Sequence, residues 1–133
     1  MPFVLDNSVV TGWYIEDQAN DYTEAIAARL ETDHAIVPAL WQLEFANVVK
    51  TAYRRGKLDI DSARQVVDTI CALPIEIDRG TPAPRQLLEL ALRFDLSSYD
   101  AAYLELAMRH GLSIACQDGK LRDACGAAGI PLL

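Results

Sequence analysis

Short apolar segments alternate along this chain with longer stretches of helical periodicity, and this alternation limits the possible folds. Residues 3–5, 35–37, 75–77, 113–116 and 130–133 predict strands. Helices are predicted over residues 7–13, 20–32, 38–56, 59–73, about 85–95, 97–111 and 118–127. Parallel strands need a crossover between them, and helices supply it. The pattern therefore predicts an α/β fold with a mainly parallel sheet.

Length and composition predict one globular domain over residues 1–133. Hydrophobic residues make up 51% of the chain and charged residues 23%, which is typical of folded proteins and excludes the disordered class. The start of the chain has no basic leader, and no apolar stretch has the roughly 20 residues needed to span a bilayer. We therefore expect a cytoplasmic protein that does not enter a membrane.

The chain has few histidines and cysteines from which a metal site or a catalytic relay could be built. The three cysteines are far apart, and the only histidines are His34 and His110. The cysteine spacing matches neither a disulfide framework nor a zinc site. Any metal site would have to use oxygen ligands.

The formal net charge of -7 argues against a passive nucleic-acid binder, because affinity for phosphates depends mainly on lysine and arginine. A cluster of carboxylates can nevertheless hold divalent cations while basic residues lie elsewhere. The basic candidates for such a surface are Arg54, Arg55, Lys57, Lys120 and Arg122.

Four acids are predicted near one edge of the sheet, where ligands bind in open parallel folds. Asp6 follows the first strand and Asp118 the fourth, Glu44 lies on the helix after the second strand, and Asp100 begins the helix that leads into the fourth. Crowded carboxylates repel one another, and a divalent ion removes that cost. Oxygen-only ligands favour Mg²⁺ or Mn²⁺, and such an ion can activate water toward a phosphodiester. The pattern indicates a hydrolytic nuclease.

Each acid also has a structural explanation. Asp6 could cap the following helix, Asp118 could form a turn or cap with Gly119, and Asp100 fits a capping box that begins at Ser97. Glu44 lies among apolar neighbours, so its alternative is a salt bridge to an arginine.

The segments that carry these acids resemble the PIN-domain ribonucleases, and more narrowly the VapC toxins of prokaryotic toxin-antitoxin pairs. They are VLDNS at residues 4–8, EFAN at 44–47, LSSYDAAY at 96–103 and ACQDGKL at 115–121. The resemblance implies a three-layer α/β/α sandwich in which Asp6, Glu44, Asp100 and Asp118 hold one or two Mg²⁺ or Mn²⁺ ions. It also implies a homodimer, cleavage of structured RNA that leaves a 5′-phosphate, and a small VapB-like antitoxin that covers the site.

The resemblance further implies that Ser8 and Asn47 are polar neighbours of the site. The chain departs from the family at Cys116, where a threonine or serine is usual, and this loosens the expected support of Asp118. We expect Asp6 and Asp100 to bind the principal ion, with Glu44 and Asp118 positioning waters or a second ion.

Two other functions are compatible with the sequence. One is a non-catalytic α/β interaction module whose acids are caps and solvated charges. The other is a phosphotransfer domain with Asp6 as nucleophile, although the chain lacks the second aspartate that haloacid-dehalogenase-like phosphatases place two residues later.

Overall fold

The structure is a computed structural model that describes residues 1–133. A four-stranded parallel sheet forms its centre. The strands are β1 (Phe3–Leu5), β2 (Ala35–Val37), β3 (Ile75–Ile77) and β4 (Ile114–Ala115). Their order is β3-β2-β1-β4, and every neighbouring pair is parallel. The chain therefore leaves β1 toward one side for β2 and β3, and returns on its other side with β4.

This strand order places a topological switch point between β1 and β4, the position where open parallel sheets bind ligands. The register pairs Leu5 with Ala115, the last residue of each strand. The Asp6 amide continues the pairing by donating to the Ala115 carbonyl at 3.0 Å. The residues that follow β1 and β4 consequently leave the sheet side by side.

Seven helices connect and flank the strands. They are α1 (Asn7–Val10), α2 (Asp21–Arg29), α3 (Leu40–Arg54), α4 (Ile60–Cys71), α5 (Pro84–Phe94), α6 (Ser98–His110) and α7 (Gly119–Ala128). Two 3-10 turns, Thr11–Trp13 and Glu16–Gln18, lie between α1 and α2. Helix α6 packs on β1 and β4 and contacts α5 and α7, while α3 packs against α1 and α4. The predicted α/β/α fold is confirmed.

Local sequence signals explain most helix ends. Ser97 caps α6 by accepting from the Asp100 amide at 3.1 Å. Gly111 ends the same helix in the left-handed region, with φ of 65°, which a residue without Cβ adopts at no steric cost. Asp59 caps α4 in the same way as Ser97 caps α6, by accepting from the Ser62 amide. The predicted helix 7–13 differs, because an α-helix of one turn passes directly into a 3-10 turn.

The apolar residues that follow the helical period along α3 predict its buried face; they are Leu40, Leu43, Ala46, Val49 and Tyr53. This prediction is wrong, because Leu43 is 78% exposed and Tyr53 45% exposed. The side chains that enter the core are instead Trp41, Phe45, Val49 and Ala52. This set of residues faces the core because it buries the rings of Trp41 and Phe45, which stack with their centroids 5.1 Å apart.

The predicted strand at residues 130–133 is reduced to a single bridge between Ile114 and Leu132. Ile114 donates its amide to the Pro131 carbonyl and accepts from the Leu133 amide, both at 3.0 Å. Pro131 has no amide hydrogen with which to extend the ladder toward the start of β4. The core consists mainly of β1, β4, α6 and the inward faces of α3 and α7. No helix is both long enough and apolar enough to cross a membrane.

Candidate metal centre

Asp6 lies directly after β1 at the switch point and is 8% exposed. Its Oδ2 accepts a hydrogen bond from the Ser8 amide at 3.2 Å, which caps α1. Burial raises the pKa of the Asp6 carboxyl, and the charge of Asp118 raises it further, against the hydrogen bonds from Ser8 that lower it. The helix-capping explanation is therefore correct for Asp6, but capping leaves an acid that is costly to ionise.

Asp118 caps α7, as its structural explanation anticipated. Its Oδ1 accepts from the Lys120 amide at 2.9 Å and from the Leu121 amide at 3.4 Å. Its Oδ2 accepts no hydrogen bond. The cap orients the carboxylate and leaves one oxygen available to a ligand.

Glu44 lies half-buried on α3, beside the Trp41 and Phe45 stripe. The alternative explanation, a salt bridge to an arginine, is wrong, because the Glu44 Oε1 accepts instead from the Tyr103 hydroxyl at 2.6 Å. Burial raises the pKa of Glu44 and the charge of Asp6 adds to the rise, although the Tyr103 hydrogen bond lowers it. A neutral phenol holds this carboxylate without neutralising it.

Tyr103 is a site residue that the sequence analysis missed. It is fully buried on α6, and burial together with Glu44 raises the pKa of its hydroxyl far above the ordinary value. The available signal was its spacing, since Asp100 and Tyr103 are three residues apart and share a face of α6. One face of this helix therefore supplies both a carboxylate and a hydroxyl.

Asp100 is the acid with the fewest partners. Its amide is bound by Ser97, so the capping prediction is right for the backbone, but its carboxylate accepts no hydrogen bond. Burial raises its pKa to about 6, with further contributions, in decreasing order, from the charges of Asp118, Asp6 and Glu44. Nearby Lys120 offsets only part of this rise.

The structure thus brings all four predicted acids into one electrostatic group. Asp100 is repelled by each of the other three, and Asp6 is repelled by Asp118 and itself repels Glu44. Like charges at short range disfavour simultaneous ionisation. Four separate elements contribute to the group, so it is a product of tertiary folding.

The carboxylate oxygens of the four acids are suitable ligands for a hard divalent ion, although the acids do not yet surround a common binding point. No three His, Cys, Asp or Glu side chains already stand at ligand spacing. Mg²⁺ needs only one or two direct carboxylates, because it retains several of its waters. The Asp118 Oδ2 and the Asp100 carboxylate are free to bind it, and positive charge would relieve the repulsion in the group.

Ser8, Asn47 and Cys116, the three residues predicted to lie beside the acids, occupy different positions relative to them. Ser8 touches the site, because its amide binds Asp6 and its hydroxyl accepts from the Gln117 amide at 2.8 Å. Asn47 lies three residues after Glu44 and is exposed, with no hydrogen bond to any of the four acids. Cys116 is fully buried, which raises the pKa of its thiol to about 12, and only its backbone makes hydrogen bonds.

Two of the five basic candidates are engaged with protein groups. Lys57 pairs with Asp17, and Arg122 donates to the Cys116 carbonyl at 2.9 Å. Arg54, Arg55 and Lys120 are exposed. Of these three, Lys120 lies close enough to Asp100 to affect its pKa.

Comparisons with known proteins give matches over most of the chain. The family model described as PIN domain matches residues 3–127. Ribonuclease VapC3 from Pyrobaculum aerophilum is 24% identical over 133 residues, covering 98% of this chain and all of the relative. The crystal structure of PAE2754 from the same organism superposes with a TM-score of 0.68 at 20% identity, covering 93% of this chain and 84% of that one. This structural likeness concerns the fold.

Proposed function

This chain belongs to the PIN domain family, and from that premise we propose that it is a metal-dependent endoribonuclease. The observation that carries the proposal is the group of four repelling carboxylates, in which the pKa of Asp100 rises to about 6. Such an arrangement is unfavourable by itself and becomes favourable with a divalent cation. The relative named as a ribonuclease, which matches over almost the whole chain, supports the same activity.

We assign Mg²⁺ or Mn²⁺ to the four carboxylates, with Asp6 and Asp100 as the principal ligands. A bound divalent ion would supply Lewis acidity toward the phosphate and toward water. The protein's own groups set the geometry: Ser8 orients Asp6, the start of α7 orients Asp118, and Tyr103 orients Glu44. Holding the ligands in this way limits the rearrangement needed when the ion and substrate arrive.

The substrate we propose is RNA, bound with its backbone toward Lys120 at the start of α7. Lys120 is exposed and lies beside Asp100. Its ammonium group can contact a phosphate that the carboxylates themselves would repel. RNA of the cytoplasm is the substrate such an enzyme would meet.

We propose further that the chain acts as the toxin of a toxin-antitoxin pair, as a single catalytic domain that forms homodimers. Its net charge of -7 suits a small partner with basic side chains that reach the carboxylates. Sedimentation of the purified protein should give the mass of two chains. If a neighbouring reading frame encodes a small protein with a basic tail, that protein should abolish RNA cleavage when added in equal amount.

Thermal melting with and without metal tests the proposed ion. An ion at ten times its dissociation constant stabilises the folded state by about 1.4 kcal/mol, which corresponds to about 5 °C for a domain of this size. A non-catalytic interaction module whose acids are caps predicts almost no response. Absence of a shift with both Mg²⁺ and Mn²⁺ at millimolar concentration would contradict the assignment.

Asp6→Asn tests the activity. Asparagine also caps helices well, so α1 should remain folded while the carboxylate is lost. We expect the variant to stop cleaving RNA and to lose its thermal response to Mn²⁺. The matched control is Asp61→Asn, at an exposed position. Cleavage by Asp6→Asn at the wild-type rate with metal present would refute the assignment.

A further inference from the structure

Gln117 lies between the ends of β1 and β4, and its side chain is not one of the four carboxylates of the site. It occupies the link between β4 and α7, one residue before Asp118. Its Nε2 donates to the Ser8 carbonyl at 2.8 Å, and its Oε1 accepts from the Asn20 Nδ2 at 2.7 Å. Its backbone amide donates to the Ser8 hydroxyl, also at 2.8 Å.

These contacts form a continuous path between two of the acids. Asp6 accepts from the Ser8 amide, Ser8 is bound twice by Gln117, and Gln117 is bonded covalently to Asp118. The path crosses from the segment after β1 to the segment after β4. Both segments are short, so a constraint at Gln117 limits the separation of the two carboxylates.

The hydrogen bonds of Gln117 oppose the electrostatic repulsion between the carboxylates. Asp6 and Asp118 repel each other, and Asp100 is repelled by both. The Asp6 amide joins the two strand ends through the Ala115 carbonyl. Beyond that bond, the β4–α7 link could relieve the repulsion by moving outward if Gln117 did not hold it to Ser8. The Gln117 amide joins the link to α1 on one side and to the cap residue of α2, Asn20, on the other.

The neighbouring Cys116 cannot provide the same connection. Its thiol is buried and makes no hydrogen bond, while its backbone is held by the Tyr22 hydroxyl and by Arg122. These contacts fix the end of β4. The side chain that joins this end to the Asp6 segment is that of Gln117.

We propose that Gln117 is a positioning residue that keeps the Asp118 carboxylate close to Asp6, where both can take part in binding a divalent cation. The inference rests on the proposed metal-dependent function and concerns how that site is kept in shape. Partners of metal ligands that are themselves not ligands commonly change metal affinity by about 10- to 100-fold when removed.

The test measures Mn²⁺ binding directly, through the electron paramagnetic resonance signal of the free ion. Gln117→Met keeps the length of the side chain and the backbone bond to Ser8, but removes both amide contacts. We expect the dissociation constant for Mn²⁺ to rise about 10-fold. Gln86→Met, at an exposed position on α5, is the matched control and should bind as the wild type does.

A double-mutant cycle with Asp118→Asn separates positioning from general loop stability. If Gln117 acts through Asp118, Gln117→Met should change Mn²⁺ affinity much less when Asp118→Asn is already present. Equal effects in both backgrounds, or an unchanged dissociation constant for Gln117→Met, would overturn the inference. Failure of the wild type to bind Mn²⁺ would instead contradict the proposed function.

Asn20→Asp supplies a second variant should Gln117→Met fold poorly. Aspartate retains an oxygen to cap α2 through the Thr23 amide but loses the Nδ2 donor to Gln117. We expect a smaller rise in the Mn²⁺ dissociation constant, again suppressed by Asp118→Asn. An Asn20→Asp protein that binds Mn²⁺ as tightly as the wild type would count against the role of the amide.

Discussion

At the scale of single residues, one carboxylate can serve the fold and the site together. Asp118 uses Oδ1 to cap α7 and keeps Oδ2 free, so the cap points the remaining oxygen in a fixed direction. Asp6 combines a cap with burial, which raises its pKa. The structural and functional explanations of these acids are therefore compatible.

The first prediction concerns the pH dependence of Asp100. Its pKa is about 6 in the folded protein against 3.8 for an unperturbed group. The folded state therefore binds this proton more tightly, and stability is lost as the pH rises from about 4 to above 6. In the presence of EDTA, Asp100→Asn should melt at a higher temperature than wild type at pH 7.5, with a smaller difference at pH 4.5.

Differential scanning calorimetry at both pH values checks this expectation. Asp61→Asn, at an exposed position, controls for the substitution itself. A melting difference of the same size at pH 4.5 and pH 7.5 would show that Asp100 is not under electrostatic strain.

The second prediction concerns Tyr103. Tyr103→Phe removes the hydroxyl that binds Glu44 at 2.6 Å and leaves the ring in the core. A hydrogen bond to a charged group contributes about 1.5–3 kcal/mol, so we expect a loss near the lower end of that range because Glu44 is only half-buried. Cleavage should slow through kcat rather than KM, because this hydroxyl is buried against Glu44 and acts through that carboxylate.

Urea unfolding and steady-state kinetics measure the two effects. Tyr53→Phe is the matched control, because Tyr53 is 45% exposed and its hydroxyl makes no hydrogen bond. A Tyr103→Phe enzyme with the wild-type kcat would remove Tyr103 from the site.

At the scale of elements, helix α6 has two different ends. Its first two turns carry Asp100 and Tyr103 toward the acids, while its last turns carry Glu105 and Arg109 toward the loop after β3. Arg109 binds Glu105 at 2.7 Å and Asp78 at 2.6 Å. This ion network fixes the far end of α6, and hence the direction in which its first turn points.

The third prediction is that Arg109→Met strongly destabilises the protein. Glu105 is only 4% exposed and would be left buried without a cation. Breaking a buried pair from one side costs about 3–5 kcal/mol, which we reduce to about 2–3 kcal/mol because Arg109 is partly solvent-accessible. Adding Glu105→Gln should restore part of the loss.

Urea unfolding of the single and double variants gives the coupling free energy between Arg109 and Glu105. Arg64→Met, which disrupts only the exposed pair with Asp61, is the control and should cost less than about 0.5 kcal/mol. If Arg109→Met is no more destabilising than Arg64→Met, the network does not hold α6.

At the scale of the whole molecule, net charge opposes the binding of RNA. The chain carries a formal charge of -7, and two of its five candidate basic residues are engaged with protein groups. Under the proposed function, binding of RNA therefore depends on few phosphate contacts together with the ion assigned to the four carboxylates.

The fourth prediction follows from this small number of contacts. For single-stranded RNA the slope of log affinity against log salt is about -0.7 for each phosphate neutralised, so phosphate contacts by the three unengaged candidates, Arg54, Arg55 and Lys120, predict a slope near -2. Fluorescence anisotropy with the Asp6→Asn variant measures binding without cleavage. A slope of about -5 or steeper would indicate an extended basic surface that the proposal does not contain.

Much of the architecture is predictable from the sequence because its signals are local. Strands β1, β2 and β3, the caps Ser97 and Asp59, and the stop at Gly111 depend on residues a few positions apart. Alternation of these elements is enough to indicate a parallel sheet, and the acids at the strand ends indicate its functional edge.

Side-chain partners across the molecule were decided only by tertiary packing. The structural alternative for Glu44 was a salt bridge to an arginine, but its partner is Tyr103, 59 positions away along the chain. Helix α3 had two possible apolar stripes, and the one with more aromatic surface to bury faces the core. Gln117 has no local signal, because its partners Ser8 and Asn20 come near it only when β4 pairs with β1. Local backbone preference needs only neighbouring residues, whereas burial and long-range hydrogen bonds depend on which surfaces the assembled sheet and helices bring into contact.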